Sequence, residues 1–367
     1  MLNWANDVWG KIEKKLEVTS KRTDTGIFPY TTENGRFVDS RSPYAWTGGF
    51  WVGIMWKMYN VTKKEHYRQI AEEMEVNLDA GLHGFDGLHH DVGFMWLLSS
   101  VASYQITGSE DSKRRGMIAA NLLAGRYNIV GKFIRAWNQD KIGWSIIDTM
   151  MNIPLLYWAS RETNDPRFKF IAQSHADTTL QNFIRPDGSV NHIVSFDPHT
   201  GEFIESMGGQ GYGVGSSWTR GQSWAVYGFA LSYIHTKKQE YLDAAKRVAH
   251  YFIAALSAAG SFVPDCDFRS PKEPVYKDTT AGVIAACGMI EIAKYVPEGE
   301  KDLYLNSAWS ILKEIEEDYT DWSDDEDLIL KAGTQSYANG QNIPIVYGDY
   351  YFIEAVLKLR GDNILFW

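Results

Sequence analysis

The sequence is short of several things at once, and each shortage excludes a class of protein. Two cysteines, Cys266 and Cys287, among 367 residues are too few for a disulfide framework or a cysteine-based zinc site, which agrees with a reducing compartment. Lys and Arg number 36 against 46 acidic residues, a net charge of −10, and nowhere do they gather into a block or stripe. Nucleic acid and anionic membrane surfaces are therefore poor partners. No segment approaches the roughly 18 uncharged apolar residues of a membrane span, and the opening stretch MLNWANDVWGKIEKK carries charges where a secretory signal needs an apolar run. These absences predict a cytoplasmic chain. The glycine-rich SMGGQGYGVGSSWTRG lacks the spacing and the basic residue of a phosphate-binding loop, and no other cofactor motif is present. Oligomeric state leaves no trace in the sequence.

What the chain has in excess is aromatic surface: 14 Trp, 20 Tyr and 17 Phe. Core packing accounts for part of that. Trp and Tyr also provide the flat apolar faces on which sugar rings stack. With 44% of residues in the hydrophobic set, the chain is long enough for one large core, and residues 1–367 are read as a single domain.

A faint repeat organises that domain. Thr62 and Tyr67, Thr163 and Phe168, and Thr236 and Tyr241 bracket the short polar turns VTKKEHY, ETNDPRF and HTKKQEY, with ITGSED and VPEGEKD as degenerate members. Stretches before the turns, such as DVGFMWLLSSVASY and GQSWAVYGFALSYI, are apolar nearly all round, as helices buried on every side must be. Stretches after them, such as HYRQIAEEMEVNLDA and YLDAAKRVAHYFIAAL, show apolar positions at helical spacing with charge between, the pattern of one wet face. Inner helices starting near Trp46, Asp91, Asp148, Gln222, Thr280 and Asp349 predict an all-α chain: an (α/α)6 barrel of six helical hairpins with inner and outer helix rings. An open helical array is the alternative.

In such a ring the inner helices point one way, so the residues at their starts gather around one mouth. Asp91, Asp148, the SSWTRGQSW segment and Asp349 all fall there. Taken alone, an aspartate at the first residue of a helix, as Asp91 is, most often caps it. Asp148, within SIIDTMMNIPLLYW, sits among apolar neighbours, where an ionised carboxylate is costly. Without a cationic partner its pKa should rise, so that it can donate a proton near neutral pH. His89, His90 and Asp91, with His83 nearby, invite a metal reading. Neighbouring residues on a helix point about 100° apart, however, so His90 and Asp91 are not expected to share an ion, and no metal site is expected.

Five segments in order, HHDVGFM, SIIDTMMNIPLL, SFDPHTG, SSWTRGQSWAVYGFA and YKDTTAGVIAACG, resemble glycoside hydrolase family 88, the unsaturated glucuronyl hydrolases. The likeness runs from WTGGFW near residue 46 to YGDYYFIEA near residue 350. It implies an (α/α)6 barrel enzyme acting on lyase-generated oligosaccharides, from glycosaminoglycans or exopolysaccharides, whose nonreducing end is a 4,5-unsaturated uronic acid. A general acid protonates C4 of this vinyl ether, water adds at C5, and the hemiketal opens to release the remaining sugar, with no cofactor. Carried over by the resemblance, Asp148 is the general acid/base and Asp91 the second carboxylate, placed by His90. Arg220 meets the substrate carboxylate, His192 and Gln210 are polar pocket residues, and Trp46, Trp137, Trp218 and Trp224 are its aromatic walls.

The chain departs from the family in three places. Gly48 stands where relatives often have Asp, and Asn138 where they can have Gly, which predicts a change on the far side of the pocket. A Ser-x-x-Ser-x-Lys pattern of members that prefer sulfated fragments is here Ser336, Asn339 and Gln341. The missing lysine favours unsulfated substrates. Rival readings are an unsaturated rhamnogalacturonyl hydrolase acting on pectin fragments, a conventional glycosidase, a non-catalytic sugar-binding barrel, and a histidine-based epimerase.

Overall fold

A computed structural model describes residues 1–40 and 42–367. Its helices pair as the repeat predicts. The inner ring consists of Gly48–Thr62, the composite rod from Val92 to Thr107, the rod from Ile147 to Thr163, then Thr219–Thr236, Thr279–Ala293 and Val346–Arg360. Each packs against an outer helix: Glu65–Asn77, Glu110–Ala124, Pro166–Asn182, Gln239–Ala259 and Glu298–Asp318 follow their inner partners in the chain. The sixth outer helix is Leu2–Arg22, which lies against Val346–Arg360, so residues from the two ends of the sequence complete one hairpin. Val346–Arg360 also contacts both Thr279–Ala293 and Gly48–Thr62, which closes the ring and excludes the open array.

The repeated turn has one mechanism. Thr62, Thr107, Thr163 and Thr236 each donate a side-chain hydrogen bond to the carbonyl four residues back, at 2.6 to 2.8 Å. The same hydroxyls accept from the backbone N–H two residues on, at 3.2 to 3.3 Å. The residue between is left-handed in every case: Lys63, Gly108, Asn164 and Lys237. The threonine thus stops each inner helix and starts the return. Tyr67, Phe168 and Tyr241, five residues on, are buried beneath the outer helices.

Short strands, which the all-α reading did not include, decorate the mouth. Trp144–Ile146, Ile193–Phe196 and Phe203–Met207 form a three-stranded antiparallel sheet, with Ser145 opposite Val194 and Val194 opposite Ser206. Two hairpins accompany it, Pro29–Glu33 with Arg36–Asp39 and Tyr127–Asn128 with Phe133–Ile134. At the opposite end of the barrel, Lys57, Glu291, Glu354 and Lys358 form a buried charged cluster covered by the segment 361–367. Among the described residues, no helix is long and apolar enough to cross a membrane.

Candidate active site

The starts of the inner helices do converge. Trp46 packs against Phe94 and Tyr347 at 5.3 and 5.0 Å between ring centroids, and the Arg220 guanidinium lies 5.4 Å from the Tyr347 ring. The rings of three inner-helix starts therefore meet. Between them lies a cavity of about 160 Å³ lined by Trp46, His89, His90, Asp91, Trp137, Ile146, Asp148, Gln210 and Arg220. A larger hollow of 410 Å³ lies beside Asp79, His83, Arg114 and Arg115 on the outer surface. Its charges are already matched, Arg115 to Asp79 at 2.6 Å and Arg114 to Asp111 at 2.7 Å, so it offers little to a ligand.

The small sheet ties the two aspartates together. Asp148 follows the strand Trp144–Ile146 directly, and Ile147 N–H donates to the His192 carbonyl at 3.1 Å. Ala136 N–H donates to the Trp144 carbonyl at 2.8 Å, and the Ala136 carbonyl in turn accepts from His90 N–H at 3.3 Å and from His90 Nδ1 at 2.7 Å. One network of backbone hydrogen bonds therefore runs from the base of Asp148 to the residue preceding Asp91.

Asp91 occupies the position before the helix Val92–Trp96 but its side chain makes no capping hydrogen bond. The capping expectation fails because its carboxylate turns into the cavity. There it accepts from Asn152 Nδ2 at 3.1 Å and faces His90 Nε2 at 3.1 Å and His89 Nδ1 at 3.5 Å. Asn152 also accepts from Phe94 N–H at 2.8 Å and donates to the Asp148 carbonyl at 3.1 Å, linking both aspartates. Burial raises the Asp91 carboxyl above its ordinary range, while His89, Asn152 and Arg126 oppose the rise.

Asp148 is the more strongly perturbed. Its Oδ2 is buried and has no hydrogen-bond partner among the described residues. Burial, then the charge of Asp91, push its carboxyl up to about 8 against the opposing pull of Arg220 and Trp224. His192 accepts from Gln210 N–H at its Nδ1, at 3.0 Å, so the neutral imidazole carries its proton on Nε2, 3.7 Å from Asp148 Oδ2. His90 is the opposite tautomer, because its Nδ1 must donate to Ala136. Burial holds both imidazoles neutral, at about 3.

Arg220 does not neutralise Asp148. Its partner is Asp278 at 2.8 Å, both side chains being fully buried, and its remaining bonds go to the Thr334 carbonyl at 2.6 Å, the Gln335 carbonyl at 2.5 Å and, more weakly, Thr280 Oγ1 at 3.5 Å. Trp218 stacks on it at 4.4 Å. Nε–H and one N–H of Nη2 stay uncommitted among the described residues. Asp278 is thus a residue the sequence reading missed, although it lies in the quoted YKDTTAG segment. Asn152 was missed as well; its spacing of four from Asp148, on a helical turn, was the available signal.

The remaining expected residues divide. Trp46, Trp137 and Gln210 line the cavity, and Gln210 is fixed by donating Nε2 to the Gln335 carbonyl at 2.7 Å. His192, Trp218 and Trp224 are buried behind the lining, Trp218 against the His192 ring at 4.1 Å. The aromatic wall is therefore Trp46 and Trp137 rather than four tryptophans. Asp349, which the sequence places at the mouth, accepts from Ile329 N–H at 2.7 Å and Leu330 N–H at 2.9 Å instead. It anchors a loop. Gly48 abuts Leu78 and Phe28, away from the cavity, so its departure from the family pattern does not reshape the pocket. Asn138 holds the loop before His89 by donating to the Asp86 and Leu88 carbonyls at 2.9 and 3.1 Å.

Arg126, which no sequence feature singled out, lies behind this wall. It donates to the carbonyls of Arg135, Leu88, Ala136 and Trp137 and to Asn138 Oδ1, and among the described residues no carboxylate pairs with it.

Known proteins share this barrel. The chain is 33% identical to an unsaturated glucuronyl hydrolase of Bacillus sp. (strain GL1), covering 93% of both chains, and 34% identical to an unsaturated chondroitin disaccharide hydrolase of Streptococcus pneumoniae, covering 88% of this chain and 83% of that one. The solved structure of the Bacillus sp. GL1 glucuronyl hydrolase, described as responsible for the degradation of glycosaminoglycan, superposes with a TM-score of 0.90 at 32% identity over 96% of both chains. A heparin-specific unsaturated glucuronyl hydrolase superposes with a TM-score of 0.89 at 28% identity over 98% of both. The model of glycosyl hydrolase family 88 matches residues 19–318, and with the barrel and these relatives in agreement, the chain belongs to that family of glycoside hydrolases.

Proposed function

We propose that this enzyme removes the nonreducing-end 4,5-unsaturated uronic acid from lyase-generated oligosaccharides by hydrating the C4=C5 vinyl ether. One observation carries the reading: a carboxyl group held protonated near neutral pH, with an unpartnered oxygen, in a cavity walled by two tryptophans. Asp148 gives its proton to C4, and positive charge develops at C5, shared with the ring oxygen. Asp91 stabilises that charge. The Asp148 carboxylate then takes a proton from the water that adds to C5, the hemiketal opens, and the remaining sugar leaves. The uncommitted N–H groups of Arg220 meet the substrate carboxylate, and its ion pair with Asp278 keeps it from lowering Asp148 further.

The substrate fragments are proposed to be unsulfated. The loop carrying Ser336, Asn339 and Gln341 approaches the cavity through Gln210, whose carbonyl accepts from Tyr337 N–H at 2.8 Å. Gln341 spends its amide on the Tyr337 carbonyl at 2.9 Å, and at this position there is no cation to meet a sulfate.

The test follows loss of the ultraviolet absorbance of the conjugated alkene. With unsaturated chondroitin disaccharide, absorbance should fall for the wild type, persist for Asp148→Asn, and fall far more slowly for Asp91→Asn. The 6-sulfated disaccharide should be turned over at least tenfold less efficiently. Persistence with every uronide, pectin-derived fragments included, would sink the hydration reading.

A further inference from the structure

We propose that His89, His90 and Asp91 form a binding site for a divalent cation of the zinc type, which occupies the cavity in competition with the sugar. The binding stands apart from the hydrolase reading; only the competition rests on it.

The sequence argues against such a site because consecutive helical residues diverge. The structure removes that argument: the three residues lie on the turn before Val92–Trp96, not within the helix. One donor atom from each comes within 4.8 Å of the others. Two separations are already short, His90 Nε2 to Asp91 Oδ1 at 3.1 Å and His89 Nδ1 to Asp91 Oδ2 at 3.5 Å. Bonds of about 2.0–2.1 Å to a tetrahedral zinc ion set its ligands roughly 3.4 Å apart. The two short separations run to different oxygens of Asp91, so the two imidazoles must draw closer; His89, whose Nδ1 accepts from Asp91 N–H at 3.5 Å, is a quarter exposed and has room to rotate.

A second observation points to a cation. His90 is 2% exposed and lines the cavity, and its Nδ1 is committed as donor to the Ala136 carbonyl, so Nε2 carries a free lone pair, 3.1 Å from Asp91 Oδ1 but not directed at it. That nitrogen has no hydrogen-bond partner among the described residues. A buried lone pair left without a donor beside a carboxylate is stabilised by a positive species in the cavity. Two imidazole nitrogens and a carboxylate oxygen are a zinc ligand set that leaves a fourth position open to the cavity. The outer contacts are also in place, since Ala136 orients His90 and Asn152 orients Asp91. Arg126 opposes binding with its unpaired charge, which makes the ion exchangeable rather than resident.

Untagged protein titrated with Co2+ should develop the visible absorption of a low-coordinate nitrogen- and oxygen-ligated ion, and His89→Asn and His90→Asn should each lose it. Zn2+ should displace the Co2+ signal. In the disaccharide assay Zn2+ should raise the apparent KM with kcat unchanged, and the concentration for half-inhibition should rise at least tenfold in His89→Asn, whatever that variant's own rate. No Co2+ absorption in the wild type, or absorption that survives both substitutions, overturns the site. Inhibition that lowers kcat without raising KM overturns the competition. Because the Co2+ titration needs no turnover, it answers even if no uronide proves to be a substrate.

Discussion

Removing the charge of Asp91 while keeping its shape should change the proton affinity of Asp148, because that charge is the second cause, after burial, of the raised Asp148 pKa. In the wild type the proposed general acid, its carboxyl pushed up to about 8, is protonated through neutrality. The expected profile of kcat/KM is therefore flat up to about neutral pH and falls on the alkaline side, with an apparent pKa near 8. In Asp91→Asn the residual activity should show that limb displaced toward lower pH. Profiles of both proteins from pH 5 to 10 (the range being about two units either side of neutrality and beyond the limb) decide it; an unmoved limb would mean that burial alone sets the proton affinity. At this scale the sequence was informative where chemistry is local. Ile146, Ile147, Met150 and Met151 surround Asp148 in the chain as they do in the fold, so its raised pKa could be read from them. The partner of Arg220 could not, because Asp278 comes from the next inner helix and reaches it only once the ring closes.

The segment 135–137 is the element on which the pocket wall depends, and Arg126 is what holds it. Four carbonyls and one amide oxygen converge on a single guanidinium, with donors spread over Nε, Nη1 and Nη2. Three of those acceptors belong to the residues that carry Trp137 and anchor His90. Arg126→Lys retains the charge but has three donors on one nitrogen, a poor match to five acceptors in a fork. Both Arg126→Lys and Arg126→Gln should therefore raise KM by about tenfold, the size of one to two lost hydrogen bonds, with a smaller fall in kcat. If Arg126→Lys keeps the wild-type KM, the residue acts through its charge and the geometric account is wrong. The legibility of elements followed their length. Helices of four or five turns repeat their apolar pattern often enough to be assigned, and the threonine turns mark their ends. The strands beside the site run only two to five residues, too short for alternation to emerge, so the sheet that joins Asp91 to Asp148 was invisible in the sequence.

Stability of the whole barrel converges on the end opposite the site. Lys57, Glu354 and Lys358 are fully buried there, with Glu354 Oε2 3.1 Å from Lys57 Nζ and Oε1 3.6 Å from Lys358 Nζ. Tyr227 and the Trp367 indole also donate to the same carboxylate. Glu354 thus joins three inner helices and the segment covering the barrel floor. Replacing it with Gln preserves shape but leaves the buried Lys57 ammonium without its carboxylate and Lys358 with Glu291 alone. Breaking a buried pair in this way costs about 3–5 kcal/mol, which for a chain of this size corresponds to a fall in Tm of roughly 4–7 °C. The pH dependence follows from the direction of the Glu354 shift. Although burial opposes ionisation, Lys57 and Lys358 hold its carboxyl down from 4.5 to about 2 in the folded state. A depressed folded pKa contributes stability that is present above 4.5 and lost as the pH falls toward 2. Wild-type and Glu354→Gln stabilities should therefore differ most at neutral pH and converge through that acid window, as protonated glutamate comes to resemble glutamine. Thermal unfolding of the two proteins from pH 7 down to pH 3 (a span that crosses the ordinary carboxylate range) measures this, and a gap that stays constant would show that the lysines are not what Glu354 holds in place.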